Sequence, residues 1–340
     1  MTRPIARLAL LATLLAAPSL LPTQALAQPT TDARDYEGAV SAPNNTLWIH
    51  QYIRHQTTTQ KKNLTSNIAI FRAGWLLSFG NLKVVPFELV VPVVDADLKL
   101  YLSPNTMDPT KGPTPSARAT ATSGPVAGSI RQTGISDIQF LPSVIYSITQ
   151  NAAERTHTYM GFNLYTYIPV GNYASGNAPL NIGENRWTIK PQAMVGQRFG
   201  KIFTTELVVN ALIYTDNKNF HAAGALPIGT LSQKPSYNAE LHLAADIDPT
   251  MYISASYYLQ ELGEKTYAPP GSLPAATQAA LVKGYGMNAE KATVHTMRLS
   301  WGIHIEKQSL LLLQYQQDLK TGGDESNTRY VGLRFTHFWF

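Results

Sequence analysis

The chain contains no cysteine. That excludes disulfide staples, thiol catalysis and a lipid-modified N-terminal cysteine. Charge is scarce as well: Asp, Glu, Lys and Arg make up 14% of the 340 residues, against roughly 25% in soluble domains. There is no basic cluster and no nucleic-acid-binding signature, which excludes DNA and RNA as partners. Long apolar runs are missing too. The one candidate, Leu8 to Ala17, is far shorter than the ~20 residues a helix needs to span a bilayer. Arg3 and Arg7 precede it and Ala25-Leu26-Ala27 follows, so residues 1–27 read as a cleaved secretory signal with Gln28 as the first mature residue.

What the chain does have is strict alternation. In "NIGENRWTIKPQAMVGQRF" (181–199), Arg186, Lys190 and Arg198 share one parity, and Trp187, Ile189, Ala193, Val195 and Phe199 share the other. In "SYNAELHLAADI", Tyr237, Leu241, Leu243 and Ile247 oppose Asn238, Glu240, His242 and Asp246. The stretches 155–168, 201–215, 250–262 and 292–305 repeat the pattern. Such runs predict an all-β fold, with strands at 46–60, 66–78, 82–94, 134–149, 155–168, 186–199, 201–215, 235–248, 250–262, 292–305, 308–319 and 328–340. Each approaches the ~9–11 residues that a tilted strand needs to cross a bilayer.

Connections alternate between short turns and long polar loops, and aromatic residues gather toward strand ends. Both features predict a transmembrane antiparallel β-barrel of about twelve strands, with short periplasmic turns and long extracellular loops, in contact with outer-membrane lipid. The apolar parity then faces lipid and the polar parity faces the lumen. A soluble sandwich would reverse this, but long strands and asymmetric loops argue against it. The expected organisation is a signal at 1–27, an N-terminal periplasmic segment at 28–45 and a bacterial outer-membrane barrel at 46–340. Pro86, Pro142 and Pro191 fall inside strands, where proline cannot donate to a ladder, so bulges or unpaired positions are expected there. The second and third strands, "NIAIFRAGWLLSFGNLKVVPFELVVP", are too uniformly apolar for their register to be fixed.

Inward parity nominates the pore lining: Arg186, Lys190, Arg198, Glu206, Asn210, Glu240, His242, Asp246, Arg298 and His304, with Tyr159, Tyr165, Tyr252 and Tyr258. Opposite charges on neighbouring strands can brace the wall or set up a transverse field across a pore. The tyrosines suit an aromatic ring with a polar handle. The loop at about 95–133 reads either as a plug folded into the mouth or as a surface loop. Some twelve-stranded barrels are lipid hydrolases, but no histidine here lies in a His-x-Ser-Asn-Gly-like string, and His242 and His304 face inward. No metal site, cofactor or catalytic residue is expected. The C-terminal "THFWF", with Phe338 and Phe340, resembles the signal read by barrel-assembly machinery.

Four pieces occur in order: "VVPF" (84–87), "TGISDIQF" (133–140), "YIPVGNY" (167–173) and "NIGENRW" (181–187). With them the chain resembles the outer-membrane family named for the meta-pathway of phenol degradation. Gly134 and Asp137 match its Gly-x-Gly-Asp strand start, Gly171 and Tyr173 its Pro-x-Gly-x-Tyr loop, and Asn185, Arg186 and Trp187 its Asn-Arg-Trp. Ser136 replaces the second glycine of the family pattern, and Ala174 stands where an acid is usual. The resemblance implies a channel for passive uptake of small hydrophobic or aromatic compounds. A lipid hydrolase or a structural barrel with a closed lumen are the competing expectations.

Overall fold

The computed structural model describes residues 32–59, 63–101, 126–151, 153–173, 180–220, 228–279, 290–322 and 327–340. The expected signal at 1–27 lies outside the described residues.

Twelve antiparallel wall positions close on themselves. The first three are β1 (Thr46–Thr59), β2 (Asn63–Phe79) and β3 (Leu82–Tyr101). The fourth is broken into β4 (Val126–Ile135), β5 (Ile138–Phe140) and β6 (Ser143–Asn151). β7 (Thr156–Ile168), β8 (Thr188–Phe199) and β9 (Phe203–Tyr214) follow. β12 (Ser236–Asp248), β13 (Met251–Leu262), β15 (Ala292–Glu306), β16 (Ser309–Thr321) and β17 (Asn327–Trp339) complete the wall. β1 pairs with both β2 and β17, with Gln51 opposite Phe335, so the first and last strands leave no open edge between them.

Alternation becomes burial in the expected sense. Leu243 is 54% exposed on the lipid face, whereas its neighbour His242 is 1% exposed on the inner face. Short turns join strands at one rim, two of them through Gly80 (φ 62°) and Gly200 (φ 61°), a backbone region glycine adopts without penalty. At the opposite rim β2 and β3 reach 17 and 20 residues and rise beyond the span a bilayer requires. There a second sheet forms from β10 (Asn217–Phe220), β11 (Gly229–Gln233) and β14 (Lys265–Ala268), where the sequence suggested only polar loops.

The prolines sit where the ladder is interrupted. Between Trp75↔Phe87 and Leu77↔Val84 the β2–β3 register shifts, and Pro86 falls in the bulge. Pro142 lies in the break between β5 and β6, where Leu141 N donates to Glu88 O at 2.9 Å and keeps the wall joined. Pro191 occupies a gap in the β8–β9 pairing between Ile189↔Ile213 and Gln192↔Asn210.

Candidate functional site in the barrel lumen

The lumen is filled, and its first occupant is the chain's own N-terminal segment. Sequence reading put 28–45 on the periplasmic side of the barrel; its described residues 32–42 lie among the inner faces of the strands instead. A short helix, α1 (Asp35–Ser41), buries Tyr36, Glu37 and Val40. Seven residues are too few to hold a helix alone, so contacts with the wall must hold it. Asn163 Nδ2 and Gln192 Nε2 each donate to Tyr36 Oη at 2.5 Å. Glu206 Oε2 accepts from Arg34 N at 2.8 Å, and Glu206 Oε1 accepts from Tyr159 Oη at 2.8 Å. Arg198 bridges Glu37 and Asp246 at 2.6 Å each, while Arg34 pairs with the same two carboxylates from the other side. Arg34 itself sits at φ 72°, a strained conformation for a non-glycine residue, held by those acids.

Deeper in, Asp32 meets a cluster of arginines. Its Oδ1 accepts from Arg298 and from Gln314 Nε2 (2.6 Å), and its Oδ2 from Arg334 Nη1 (2.6 Å). Arg334 also reaches Asp35 at 3.0 Å, and Arg72 lies 3.9 Å from Asp35 while pairing with Glu88. Arg298 is 2% exposed and packs on the rings of Tyr258 and Tyr330 at 4.7 and 5.7 Å. A cavity of about 50 Å³ opens beside Asp32, bordered by Arg54, Arg72, Arg298 and Arg334 on its charged side and by Ile70 and Val90 on its apolar side.

Toward the long-loop rim the inner surface turns apolar. Leu64, Ile68 and Ile70 of β2 and Val90, Val94, Ala96 and Leu98 of β3 form a buried cluster, which Leu180 and Ile182 from the loop before β8 complete. This explains the ambiguous register of those two strands: one face meets lipid, and the other packs into an apolar cluster inside the barrel.

The motif residues fold that loop inward. Asp137 accepts from Gly171 N (3.0 Å) and Glu184 N (2.9 Å), and Ser136 Oγ donates to Ile182 O at 3.0 Å. A Cβ on Gly171 would come within 2.8 Å of the Ser136–Asp137 backbone, and one on Gly134 within 2.4 Å of the Asn172 side chain. Ser136, which departs from the family pattern, is thus part of the same clasp. Asn185 takes φ 54°, and its Nδ2 donates to Asn217 Oδ1 at 3.0 Å. Arg186 is buried, bonded to Glu184 (2.9 Å) and Gln233 (2.6 Å) and stacked on Tyr214 at 4.4 Å. Trp187 faces outward, and Tyr173 Oη donates to Asn219 O at 3.0 Å.

Among the other nominated residues, Lys190 lies over the Tyr165 ring at 4.6 Å. Asn210 links Asn238 to Glu240 (2.8 and 3.3 Å), and Tyr252 stacks under Arg34 at 4.7 Å. His304 differs: it is exposed near the short β15–β16 turn, where the register shifts between His304 and Glu306. Sequence reasoning missed Asp32, Tyr36, Arg54, Arg72, Arg334, Leu180 and Ile182. The acid-rich "DARDYE" (32–37) was the available sign, since it complements a lumen rich in arginine.

Glu240, His242 and Ser256 form a carboxylate–imidazole–hydroxyl line, with 3.4 Å from Glu240 to His242 and 2.8 Å from His242 to Ser256. Ser256 sits in ladders on both sides, so its neighbouring N–H groups are engaged and offer no oxyanion donor. The line braces β12 against β13.

The 95–133 loop reading is resolved in part. Residues 93–101 and 126–135 form an extended hairpin, and residues 102–125 lie outside the described residues.

An apolar exterior, a closed antiparallel wall and a filled lumen define an outer-membrane β-barrel. The family described as putative MetA-pathway of phenol degradation matches residues 50–280, and the chain belongs to it. An outer membrane channel from Pseudomonas putida F1 shares the fold at TM-score 0.67 and 20% identity, over 91% of this chain and 100% of that one. The transport unit of the autotransporter AIDA-I from Escherichia coli gives TM-score 0.46 at 8% identity, over 92% and 93% of the two chains. The CymD monoaromatic hydrocarbon channel gives 0.43 at 10%, over 87% and 89%. No curated protein matches the chain.

Proposed function

We propose that the protein is an outer-membrane channel for passive uptake of small hydrophobic or aromatic compounds, closed in this structure by its N-terminal segment. The observation that carries this reading is the apolar inner face of β2 and β3, where seven inward side chains meet Leu180 and Ile182. A channel for polar solutes gains nothing from aliphatic groups in its lumen, because exposing them to water is unfavourable. Beside that cluster, the lumenal tyrosines supply rings with polar edges. The signal sequence delivers the chain across the inner membrane, and barrel-assembly machinery recognises the C-terminal strand ending at Phe340.

The test is accumulation of labelled aromatic compounds at limiting concentration in cells with and without the gene. Faster uptake with the gene supports the reading. Equal uptake across a panel of ring compounds refutes it.

A further inference from the structure

Arginine side chains dominate the charged border of the cavity beside Asp32. Four guanidiniums border it, and among the described residues Asp32 is the one carboxylate lining it. Arg298 pairs with Asp32, and Arg334 with both Asp32 and Asp35, two acids of the occluding segment. Arg334 Nε and Tyr52 Oη, on residues that line the cavity, are buried without a hydrogen-bond partner among the described residues. Withdrawing the segment would take these carboxylates away from two buried guanidiniums, which a low-dielectric interior strongly disfavours. The segment can leave readily only if another anion takes its place.

We propose that this cavity binds the carboxylate of a small aromatic acid, and that Asp32 is the internal stand-in for that carboxylate. The inference rests on the channel reading and narrows its substrate class. A planar carboxylate matches the two-guanidinium geometry that Asp32 now fills. The ring it carries would lie against Ile70, Val90 and the Tyr330 ring, which border the same cavity. A neutral hydrocarbon has no group to exchange for Asp32, so it would not release the segment.

The experiment is calorimetric titration of the purified mature chain in detergent with benzoate and with benzyl alcohol, for wild type, Asp32→Ala and Arg334→Gln. Removing the internal competitor should tighten benzoate binding by about tenfold or more, a shift of about 1.4 kcal/mol. Arg334→Gln should lose benzoate binding, and benzyl alcohol should not bind any of the three. Asp32 is not part of the barrel wall, so its variant carries the test even where Arg334→Gln fails to fold. Benzoate affinity unchanged in Asp32→Ala, or equal affinity for benzyl alcohol, overturns the proposal. Solute passage into vesicles separates the two readings. Passage of benzyl alcohol with no Asp32 effect on benzoate sinks the anion site and keeps the channel. Tighter benzoate binding in Asp32→Ala without passage of any solute keeps the site and sinks the channel.

Discussion

Asp32 and Arg334 stand 302 positions apart in the chain and form a 2.6 Å ion pair inside the barrel. Arg334 belongs to the closing strand β17, and Asp32 to the segment that precedes the first. The barrel can therefore close around this pair only once its last strand is in place. The same carboxylate takes donors from Arg298 on β15 and Gln314 on β16, so one side chain ties the segment to three strands.

Loss of that tie should open the lumen. Replacing Asp32 and Asp35 by alanine removes buried ion-pair partners, a change that typically costs about 3–5 kcal/mol. The double variant should show conductance steps in a planar bilayer that the wild type lacks. The wall itself should stay intact, as judged by an unheated band that migrates faster than the boiled one.

Asp137 offers a second handle, on the loop at the other end. Asp137→Ala removes the acceptor of two backbone N–H groups, each worth about 1–3 kcal/mol when left buried and unpaired. The amides of Gly171 and Glu184 should then exchange hydrogen faster, and protease should cut near Leu180 sooner. Unchanged exchange at those amides would show that the clasp contributes nothing to the loop.

Glycines on the inner face make room for tyrosine rings. A Cβ on Gly302 would come within 2.1 Å of the Tyr252 ring, and one on Gly196 within 2.3 Å of the Tyr159 ring. Because Tyr159 holds Glu206 and Tyr252 stacks on Arg34, both rings also support the occluding segment. Gly302→Ala should cost about 1–3 kcal/mol through overpacking. Its urea midpoint should fall below that of a Gly271→Ala control, where no atom crowds the site.

The lipid face responds to charge. Leu299 is exposed on the outer face in the middle of β15. Leu299→Arg should cost about 2–4 kcal/mol on folding into vesicles, the range for an arginine at the bilayer midplane. A cost near zero would place Leu299 in water.

How much of this was legible in the sequence follows from period. Strands such as β8, β12 and β15 carry charge on one parity and aliphatic groups on the other, so their orientation could be read directly. The prolines told the same story, since a residue without an N–H marks a break wherever a ladder is otherwise continuous. β2 and β3 were opaque because both of their faces are apolar, and alternation vanishes when lumen and lipid ask for the same chemistry. Parity alone placed Arg186, Lys190, Arg198, Glu206 and His242 on the inner face, where the structure has them. It did not place their partners: Glu37 and Tyr36 sit on a short helix whose place depends on contacts far along the chain. Local pattern carries no information about such contacts. Leu180 and Ile182 were hidden for the same reason, since a loop that folds inward looks like any other loop until Asp137 is seen to hold it.

The N-terminal segment lies inside the barrel, and the absence of cysteine makes its position directly measurable. Ala33 and Ala244 are buried in one cluster with Tyr252, Leu310 and Leu312. In a protein carrying Ala33→Cys and Ala244→Cys, mild oxidation in native outer membranes should join the two introduced thiols and block solute passage until a reductant is added. Should the thiol introduced at position 33 stay reactive toward a membrane-impermeant reagent, with no cross-link formed, the segment does not lie where the account puts it.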